Sequence, residues 1–521
     1  MSKRWLVFAA ILIAGLTVAG VLPAAAVSAA GPDDRVRTSG GWVRGTVTET
    51  HRSFLGMPYA APPVGEARWR APRPASGWRG VRDATRPGPA CSQLANSPGF
   101  ATSEDCLFVN VTAPREAKGR LPVLVFVYGG GLISGSGSAY DPARMVEQGA
   151  VVVTFNYRLG ALGFLRHPSL KDPYAGNFGL ADQQAALRWV RGNIGKFGGD
   201  DRNVTLWGQS GGGFSVCAHL ASPAARGLFD KAIVQSAPCG IPMKTERAAD
   251  RDGVRLAAEV GCADARTAEA CLRGKPVSEL VRPSDREGLF GELRRHRADV
   301  WWFPVAGTPV LPLQPLTAMR LGKAADVPLI HGGTRDEMRS HVAAAYDMRG
   351  TPVTAERYPG IVRELFGAGD AERILGAYPL SGFVSPSVAL ATLLGDYGGV
   401  SGTCTQLPVI DAGRRSPVYA YEYAEPREPY LGFPYGASHG ADLRFFLDNE
   451  GEGAPPSTPE ERAFARRLIG YWTAFARTGD PGPQWPAYRR GSSEALSIAV
   501  ALTGPVDLAA AHHCGLWRMV R

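Results

Sequence analysis

Residues 203–214 read NVTLWGQSGGGF, and this stretch decides the fold class of the chain. The run 204–207 is apolar and resembles a buried strand, whereas 214–220 has the composition of a helix. Ser210 therefore lies on a tight strand-to-helix turn, where the neighbouring glycines permit close backbone packing. The alternative is a phosphate-binding turn, but neither G-x-G-x-x-G nor G-x-x-x-x-G-K-S/T spacing occurs here.

Four further apolar runs have the length of strands and do not alternate with polar residues. Such runs are typical of strands buried on both faces of a parallel sheet. They cover residues 121–131, 149–158, 231–237 and 327–333. Other segments have helical spacing, most clearly 181–197 and 459–479. Together these patterns predict an α/β fold with a mostly parallel central sheet and helices on both faces.

The charged, helical segments near 250–300 and 340–400 are interpreted as insertions that cap the sheet. A chain of 521 residues suggests about three domains at the usual ~150 residues each. We instead expect one domain over 31–521, because large α/β folds often carry such insertions on a single sheet.

Residues 1–30 have the pattern of a signal peptide. Lys3 and Arg4 precede an apolar stretch from Trp5 to Leu22, and small residues follow at 24–29. The alternative is an uncleaved anchor, because the stretch is nearly long enough to span a bilayer. We expect cleavage and secretion, with no membrane attachment of the mature chain.

Charge and motifs disfavour several classes of partner. The formal net charge is +9, but the basic residues are scattered and form no run interleaved with aromatics, which disfavours nucleic acid. No H-E-x-x-H or paired Cys-x-x-Cys motif occurs, so we expect no metal site and no cofactor. We expect the mature protein to be a monomer.

A serine hydroxyl is a weak nucleophile that needs a base, and the base needs an orienting acid. Asp336 and Glu337 follow a predicted buried strand, so either can supply the acid. His439 lies in a later glycine-flanked loop, while His512 and His513 near the C-terminus are rival bases.

The glycine-rich segment 125–136, VFVYGGGLISGS, follows another predicted strand. Its backbone N–H groups could face a developing oxyanion, and losing one such donor costs about 2.7–4 kcal/mol of transition-state stabilisation. A flexible loop is the alternative.

Secretion permits disulfides, and an even number of cysteines allows pairing without fixing the connectivity. The eight cysteines lie at positions 91, 106, 217, 239, 262, 271, 404 and 514. The short loops Cys91–Cys106 and Cys262–Cys271 are the preferred bridges.

Several long motifs resemble the type-B carboxylesterase family, to which cholinesterases also belong. The resemblance runs from about residue 35 to the C-terminus and includes FLGMPYAAPPVGEARWRAPRP (54–74), EDCLFVNV (104–111), NYRLGALGFL (156–165), GNFGLADQQAALRWVRGNIGKFGGD (176–200) and VTLWGQSGGG (204–213). It implies an α/β-hydrolase fold and a small-molecule ester as substrate. Lipase, polyesterase and amidase activity remain alternatives, as does a non-catalytic binding protein on the same fold.

The resemblance also implies a catalytic triad. Ser210 matches the family's nucleophile and His439 its base. Glu337 matches the acid and is preferred to Asp336 on that ground. WWFP (301–304) is open to two interpretations, an aromatic acyl pocket or core packing.

Gly130, Gly131 and Gly211 match the residues whose N–H groups form the family's oxyanion hole. The family usually has G-E-S-A-G at the serine, so Gln209 replaces a glutamate and Gly211 an alanine. We hypothesise that the extra glycine either loosens this donor or widens the acyl side of the site.

The resemblance implies the bridges Cys91–Cys106 and Cys262–Cys271, and places Cys404 and Cys514 where some members have a third. Cys217 and Cys239 have no assigned counterpart; buried free thiols are preferred here, and a fourth bridge is the alternative. The first of these loops contains no tryptophan, whereas cholinesterases carry a choline-binding tryptophan there.

Overall fold

The computed structural model describes residues 34–94, 101–116, 119–281, 302–398, 401–449 and 453–520. The predicted signal peptide, residues 1–30, lies outside the described residues, as does Trp301. Residues 282–300 of the first predicted insertion also lie outside them.

An eleven-stranded mixed sheet forms the centre of the described chain. Its strands are β1 (Thr46–Val47), β2 (His51–Pro58), β3 (Phe108–Pro114), β4 (Leu121–Val127), β5 (Val151–Phe155), β6 (Gly199–Gln209), β7 (Lys231–Gln235), β8 (Leu329–Thr334), β9 (Val418–Tyr423), β10 (Glu494–Ile498) and β11 (Gly504–Asp507). The order across the sheet is β11-β10-β9-β8-β7-β6-β4-β5-β3-β2-β1.

The middle of the sheet, from β10 across to β5, is parallel, whereas β11 at one edge and β3, β2 and β1 at the other pair antiparallel. The prediction of a mostly parallel α/β fold is confirmed. All five predicted strands occur, although four of them end before their apolar runs do. Glycines or polar residues at 128–131 and 156–158, for example, leave the sheet as loops at its carboxyl edge.

The described residues also form helices of widely different length. They are α1 (Ala143–Glu147), α2 (Gly160–Phe164), α3 (Phe178–Asn193), α4 (Gly211–Ala221), α5 (Glu246–Glu259), α6 (Ala268–Gly274), α7 (Val277–Val281), α8 (Pro315–Arg320), α9 (Arg339–Ala345), α10 (Tyr358–Ala377), α11 (Pro386–Tyr397), α12 (Leu407–Ile410), α13 (Pro459–Thr478), α14 (Leu508–Ala511) and α15 (Cys514–Trp517). Within the described ranges, none has both the length and the apolarity needed to cross a bilayer.

The long helix α13 shows how local sequence sets a boundary. Thr458 and Glu461 form a reciprocal capping box at its start, and Gly479 ends it with a φ of 85°. The helix packs against β4 and β6, as does α4. These contacts make β6, the strand that leads to Ser210, part of the main core.

Four disulfides join all eight cysteines. Cys91–Cys106, Cys262–Cys271 and Cys404–Cys514 form as the family resemblance implied. The expectation of free thiols at Cys217 and Cys239 is wrong, because these residues form a fourth bridge. The bridge joins α4 to the segment after β7, and both cysteines are fully buried. Their spacing did not reveal it, since only the packing of α4 against β7 brings the two positions together.

Candidate active site

Ser210 occupies a strained turn between β6 and α4. Its backbone has φ 54° and ψ −125°, a conformation that L-residues rarely adopt. The turn is held from both sides, because Ser210 N donates to Gln235 O at 3.0 Å and Phe214 N donates to Ser210 O at 3.0 Å. The register pairs Gln209 with Gln235, so the turn emerges at the carboxyl edge of the parallel strands.

The two glycines flanking this turn are required by its packing. A Cβ atom on Gly212 would lie 1.9 Å from Val127 O, and one on Gly208 would lie 2.4 Å from Gly212 O. Both contacts involve backbone atoms that cannot move aside cheaply. The G-x-S-x-G pattern is therefore a geometric requirement of this turn.

The glycine-rich loop after β4 packs against the Ser210 turn. Three successive residues, Gly130, Gly131 and Leu132, have φ values of 98°, 62° and 64°. A Cβ atom on Gly211 would lie 2.9 Å from Leu132 N and 3.1 Å from Gly131 N. The predicted donors Gly131 and Gly211 are thus neighbours, and the loop backbone fills the space that an alanine methyl would need.

Glu337 and His439 meet beside this turn. Glu337 Oε2 lies 2.5 Å from His439 Nδ1, and the side chain of Glu337 is 1% exposed. Thr334 N donates to Glu337 Oε1 at 2.8 Å, which fixes the carboxylate. Gln209 Nε2 lies 3.3 Å from His439 Nε2, so this nitrogen faces the residue that precedes Ser210.

Asp336 has a different set of partners. Its Oδ2 accepts from Ala437 N at 2.8 Å, and its Oδ1 pairs with Arg339 at 2.8 Å. These contacts tie the loop that carries His439 to the end of β8. Of the two candidate acids, Glu337 is the one that meets the His439 ring.

The rival base His512 is clamped between two carboxylates. Its Nδ1 lies 2.5 Å from Asp396 Oδ1 and its Nε2 lies 2.5 Å from Glu422 Oε1. Burial lowers the pKa of His512, but these hydrogen bonds outweigh burial and raise the pKa to about 10. A protonated imidazole that donates through both nitrogens cannot act as a base at neutral pH. His513 lies beside Tyr378 in the same C-terminal turn.

This clamp makes stability depend on pH. The pKa of His512 is about 10 in the folded protein, whereas the ordinary pKa of a histidine is 6.5. The clamp therefore stabilises the fold fully below pH 6.5, and this stabilisation disappears as the pH rises to 10. We expect His512→Gln to cost roughly 3–5 kcal/mol at pH 6 and much less near pH 10. Melting temperatures of both proteins across this range test it, and a constant difference would contradict it.

Two residues near the Glu337–His439 pair escaped the sequence analysis. Burial is the larger cause and the charge of Glu337 the smaller cause that together raise the pKa of Asp442 to about 7. Gln235 Nε2 donates a hydrogen bond to Asp442 Oδ2 at 2.8 Å. Burial and then the charge of His439 lower the pKa of His341 to about 3. The only sequence signal was spacing: Asp442 follows His439 by three residues, and His341 follows Glu337 by four.

His341 lies against the candidate base. The centroids of the His341 and His439 rings are 5.2 Å apart in an edge-to-face arrangement. His341 Nδ1 donates to the carbonyl of Glu337 at 3.3 Å, which fixes its tautomer. The neutral ring supports His439 without adding a second positive charge.

The described part of WWFP packs against α4. Trp302 is 1% and Phe303 4% exposed. The Phe303 ring centroid lies 4.9 Å from that of Phe214, one turn into the helix that begins after Ser210. Of the two interpretations of this motif, core packing describes both residues.

Gly211→Ala is expected to lower kcat roughly 10- to 100-fold, because the new methyl must shift the backbone of Gly131 and Leu132. This change displaces a proposed donor without removing it, whereas complete loss of one donor costs about 10²–10³ in kcat. Steady-state kinetics over several acyl lengths would measure this. Gly192→Ala is the control, since a methyl there meets nothing within 4 Å. If Gly211→Ala changes neither the rate nor the acyl preference, the glycine at position 211 has no effect on catalysis or specificity.

The carboxylesterase family model matches residues 32–517 of this chain. The chain is 34% identical over 504 residues to the para-nitrobenzyl esterase of Bacillus subtilis (strain 168), which covers 90% of this chain and 95% of that protein. It is 32% identical over 503 residues to the fumonisin B1 esterase of Sphingopyxis macrogoltabida, covering 89% and 88%.

A solved structure of a PNB esterase covers 93% of this chain and 100% of its own, with a TM-score of 0.77 at 31% identity. This structural likeness agrees with the family match. The chain therefore belongs to the carboxylesterase family, has the α/β-hydrolase fold, and is a carboxylic ester hydrolase.

Proposed function

We propose that this chain is a secreted esterase that uses Ser210, His439 and Glu337 as a catalytic triad and passes through an acyl-enzyme intermediate. The observation that carries the proposal is the contact of 2.5 Å between the buried Glu337 and His439, beside the strained Ser210 turn. A nucleophile, a base and an orienting acid are what acyl transfer requires.

In the first half-reaction His439 Nε2 takes the proton of Ser210 as Oγ attacks the ester carbonyl. The bond between the carbonyl carbon and the alcohol oxygen then breaks, and His439 returns the proton to the departing alcohol. Water repeats the sequence on the acyl-enzyme, releasing the carboxylic acid and restoring the Ser210 hydroxyl. Glu337 holds the His439 tautomer and stabilises the imidazolium.

The N–H groups of Gly130, Gly131 and Gly211 stabilise the oxyanion in both half-reactions. A Cβ atom placed on Gly211 would lie 3.1 Å from Gly131 N. Gly211 is therefore close to this nitrogen, which supports a shared role for the two residues. Donors fixed by backbone geometry need no reorganisation as charge develops.

Secretion is part of the proposal. Four disulfides join all eight cysteines, which fits a chain that matures in an oxidising compartment. Removal of residues 1–30 would leave Gly31 as the new N-terminus. Mass determination of the exported protein would identify the cleavage site.

A stoichiometric organophosphate label tests the active-site assignment. We expect one label per chain, located by peptide mapping on Ser210, with full loss of hydrolysis of p-nitrophenyl acetate. A non-catalytic binding protein on this fold would remain unlabelled. Comparing p-nitrophenyl esters with p-nitroanilides of the same acyl group would then separate esterase from amidase activity.

A further inference from the structure

Gln209, the residue before Ser210, is buried and contacts the candidate base. It is the last residue of β6 and is 3% exposed. Gln209 Nε2 lies 3.3 Å from His439 Nε2. A Cβ atom on Gly129 would lie 2.7 Å from Gln209 Oε1, so the oxygen end of the amide lies against the loop after β4. The side chain of Gln209 therefore fills the space between that loop and the His439 ring.

The direction of this hydrogen bond follows from the partner of the other ring nitrogen. Glu337 Oε2 lies 2.5 Å from His439 Nδ1, and a carboxylate accepts, so Nδ1 carries the proton of the neutral ring. His439 Nε2 is then an acceptor, and the amide N–H of Gln209 donates to it. A hydrogen bond to the neutral form of a titrating group disfavours its charged form. Gln209 therefore stabilises the state of His439 that can take a proton.

The other titratable groups that face the His439 ring come from neighbouring elements. Glu337 follows β8, His341 lies on α9, and Asp442 follows His439 in the same loop. Burial lowers the pKa of His341 to about 3, so this ring is neutral. Burial, and then the charge of Glu337, raises the pKa of Asp442 to about 7. Of these groups, Glu337 contacts Nδ1, whereas Gln209 contacts Nε2.

A glutamate at position 209, which is usual in the family, would act on His439 in the opposite sense. A carboxylate cannot donate to Nε2, and an opposite charge within about 4–6 Å favours the charged form of a group, changing its pKa by about 1–3. The amide of Gln209 donates to the neutral ring and can turn its oxygen to the protonated ring. A neutral amide nevertheless stabilises an imidazolium less than a carboxylate does.

We propose that Gln209 is a positioning residue that keeps His439 neutral, so that the proposed triad hydrolyses esters in more acidic solution than it could with a glutamate beside Ser210. The inference rests on the proposed roles of Ser210 and His439. It concerns the pH at which the base is available and leaves the identity of the base unchanged. Gln209 acts through His439 and takes no part in the bonds that form and break.

The pH dependence of kcat/KM for p-nitrophenyl acetate tests this inference, because its acidic limb reports the base of the free enzyme. We expect Gln209→Glu to move the acidic limb upward by about 1–3 in pH, which lowers kcat/KM on that limb about tenfold for each step of one in pH. Gln209→Met removes the donor without adding charge, so its acidic limb should move in the same direction by less than about 1.

Gln148→Glu is the matched control, because it adds the same charge at a different place. Gln148 follows α1, and a Cβ atom on Gly470 of α13 would lie 3.9 Å from its Oε1. The acidic limb of Gln148→Glu should coincide with that of the parent. Melting temperatures show over which pH range each variant is folded.

An acidic limb that Gln209→Glu leaves in place or moves to lower pH would overturn the inference, whatever the rate on the plateau. If Gln209→Glu does not fold, Gln209→Met decides, and an unmoved limb in that variant overturns the inference as well. Failure of the proposed function would look different, because the parent would then take no organophosphate label on Ser210. A labelled parent with unmoved limbs keeps the proposed triad and rejects only the role of Gln209.

Discussion

Ser210→Ala is expected to lower kcat for p-nitrophenyl acetate by roughly 10⁶-fold, the scale seen when a nucleophilic serine is removed from a triad. The fold should persist, because alanine and serine tolerate the φ of 54° equally poorly and the backbone hydrogen bonds on both sides of the turn remain. Residual catalysis would come from the proposed oxyanion donors. Active-site titration tests the loss of the nucleophile, and the melting temperature tests whether the fold persists.

Ser236→Ala is the matched control for that experiment. Ser236 follows β7, the neighbour of β6, and has a φ of 51°, close to that of Ser210. Its hydroxyl is buried without a hydrogen-bond partner among the described residues, so its removal breaks no contact. Near-normal turnover in Ser210→Ala would remove the central assignment, and comparable inactivity in Ser236→Ala would show that the region tolerates no change.

Glu337→Gln is expected to lower kcat by about 10⁴-fold with little change in KM, because an amide favours the wrong tautomer of the histidine. Glu337 Oε2 lies 2.5 Å from Nδ1 of His439 and fixes the proton there. An amide nitrogen in that place would leave Nδ1 as the acceptor and Nε2 protonated. In the proposed mechanism, His439 could then no longer take the proton of Ser210.

Asp336→Asn separates the two candidate acids. It weakens the contacts with Ala437 and Arg339, so we expect a loss of about 1–3 kcal/mol in stability with kcat within a few-fold of the parent. The test compares kcat of Asp336→Asn with kcat of Glu337→Gln, each measured below the melting temperature of that variant. If Asp336→Asn impaired kcat more than Glu337→Gln, the acid assignment would be wrong.

Local chemistry explains why much of the fold was predictable. Short runs such as Val151–Phe155 are apolar because both faces of a parallel strand are buried, and that burial leaves a direct signal in the sequence. Gly208 and Gly212 could also be recognised in the sequence, because a side chain at either position would collide with the backbone and glycine is therefore required.

Features that depend on contacts between elements distant in the chain could not be predicted from the sequence. The strand Val418–Tyr423 is fully buried, yet VYAYEY suggests a half-exposed surface, because its tyrosines and Glu422 are polar. Glu422 finds its partner in His512, 90 residues later. Asp442 and His341 are likewise ordinary in sequence, and acquire perturbed pKa values only from what packs around them.

The Cys217–Cys239 bridge allows the motion of the Ser210 turn to be timed. Both cysteines are fully buried, and α4 carries one of them two turns after Ser210. A thiolate can attack this bridge only when its sulfur atoms become accessible, which requires α4 to separate from the segment after β7. Where exchange is faster than closing, the rate of reduction of this bridge equals the rate at which α4, the helix that begins after Ser210, separates from the segment after β7 in the native protein.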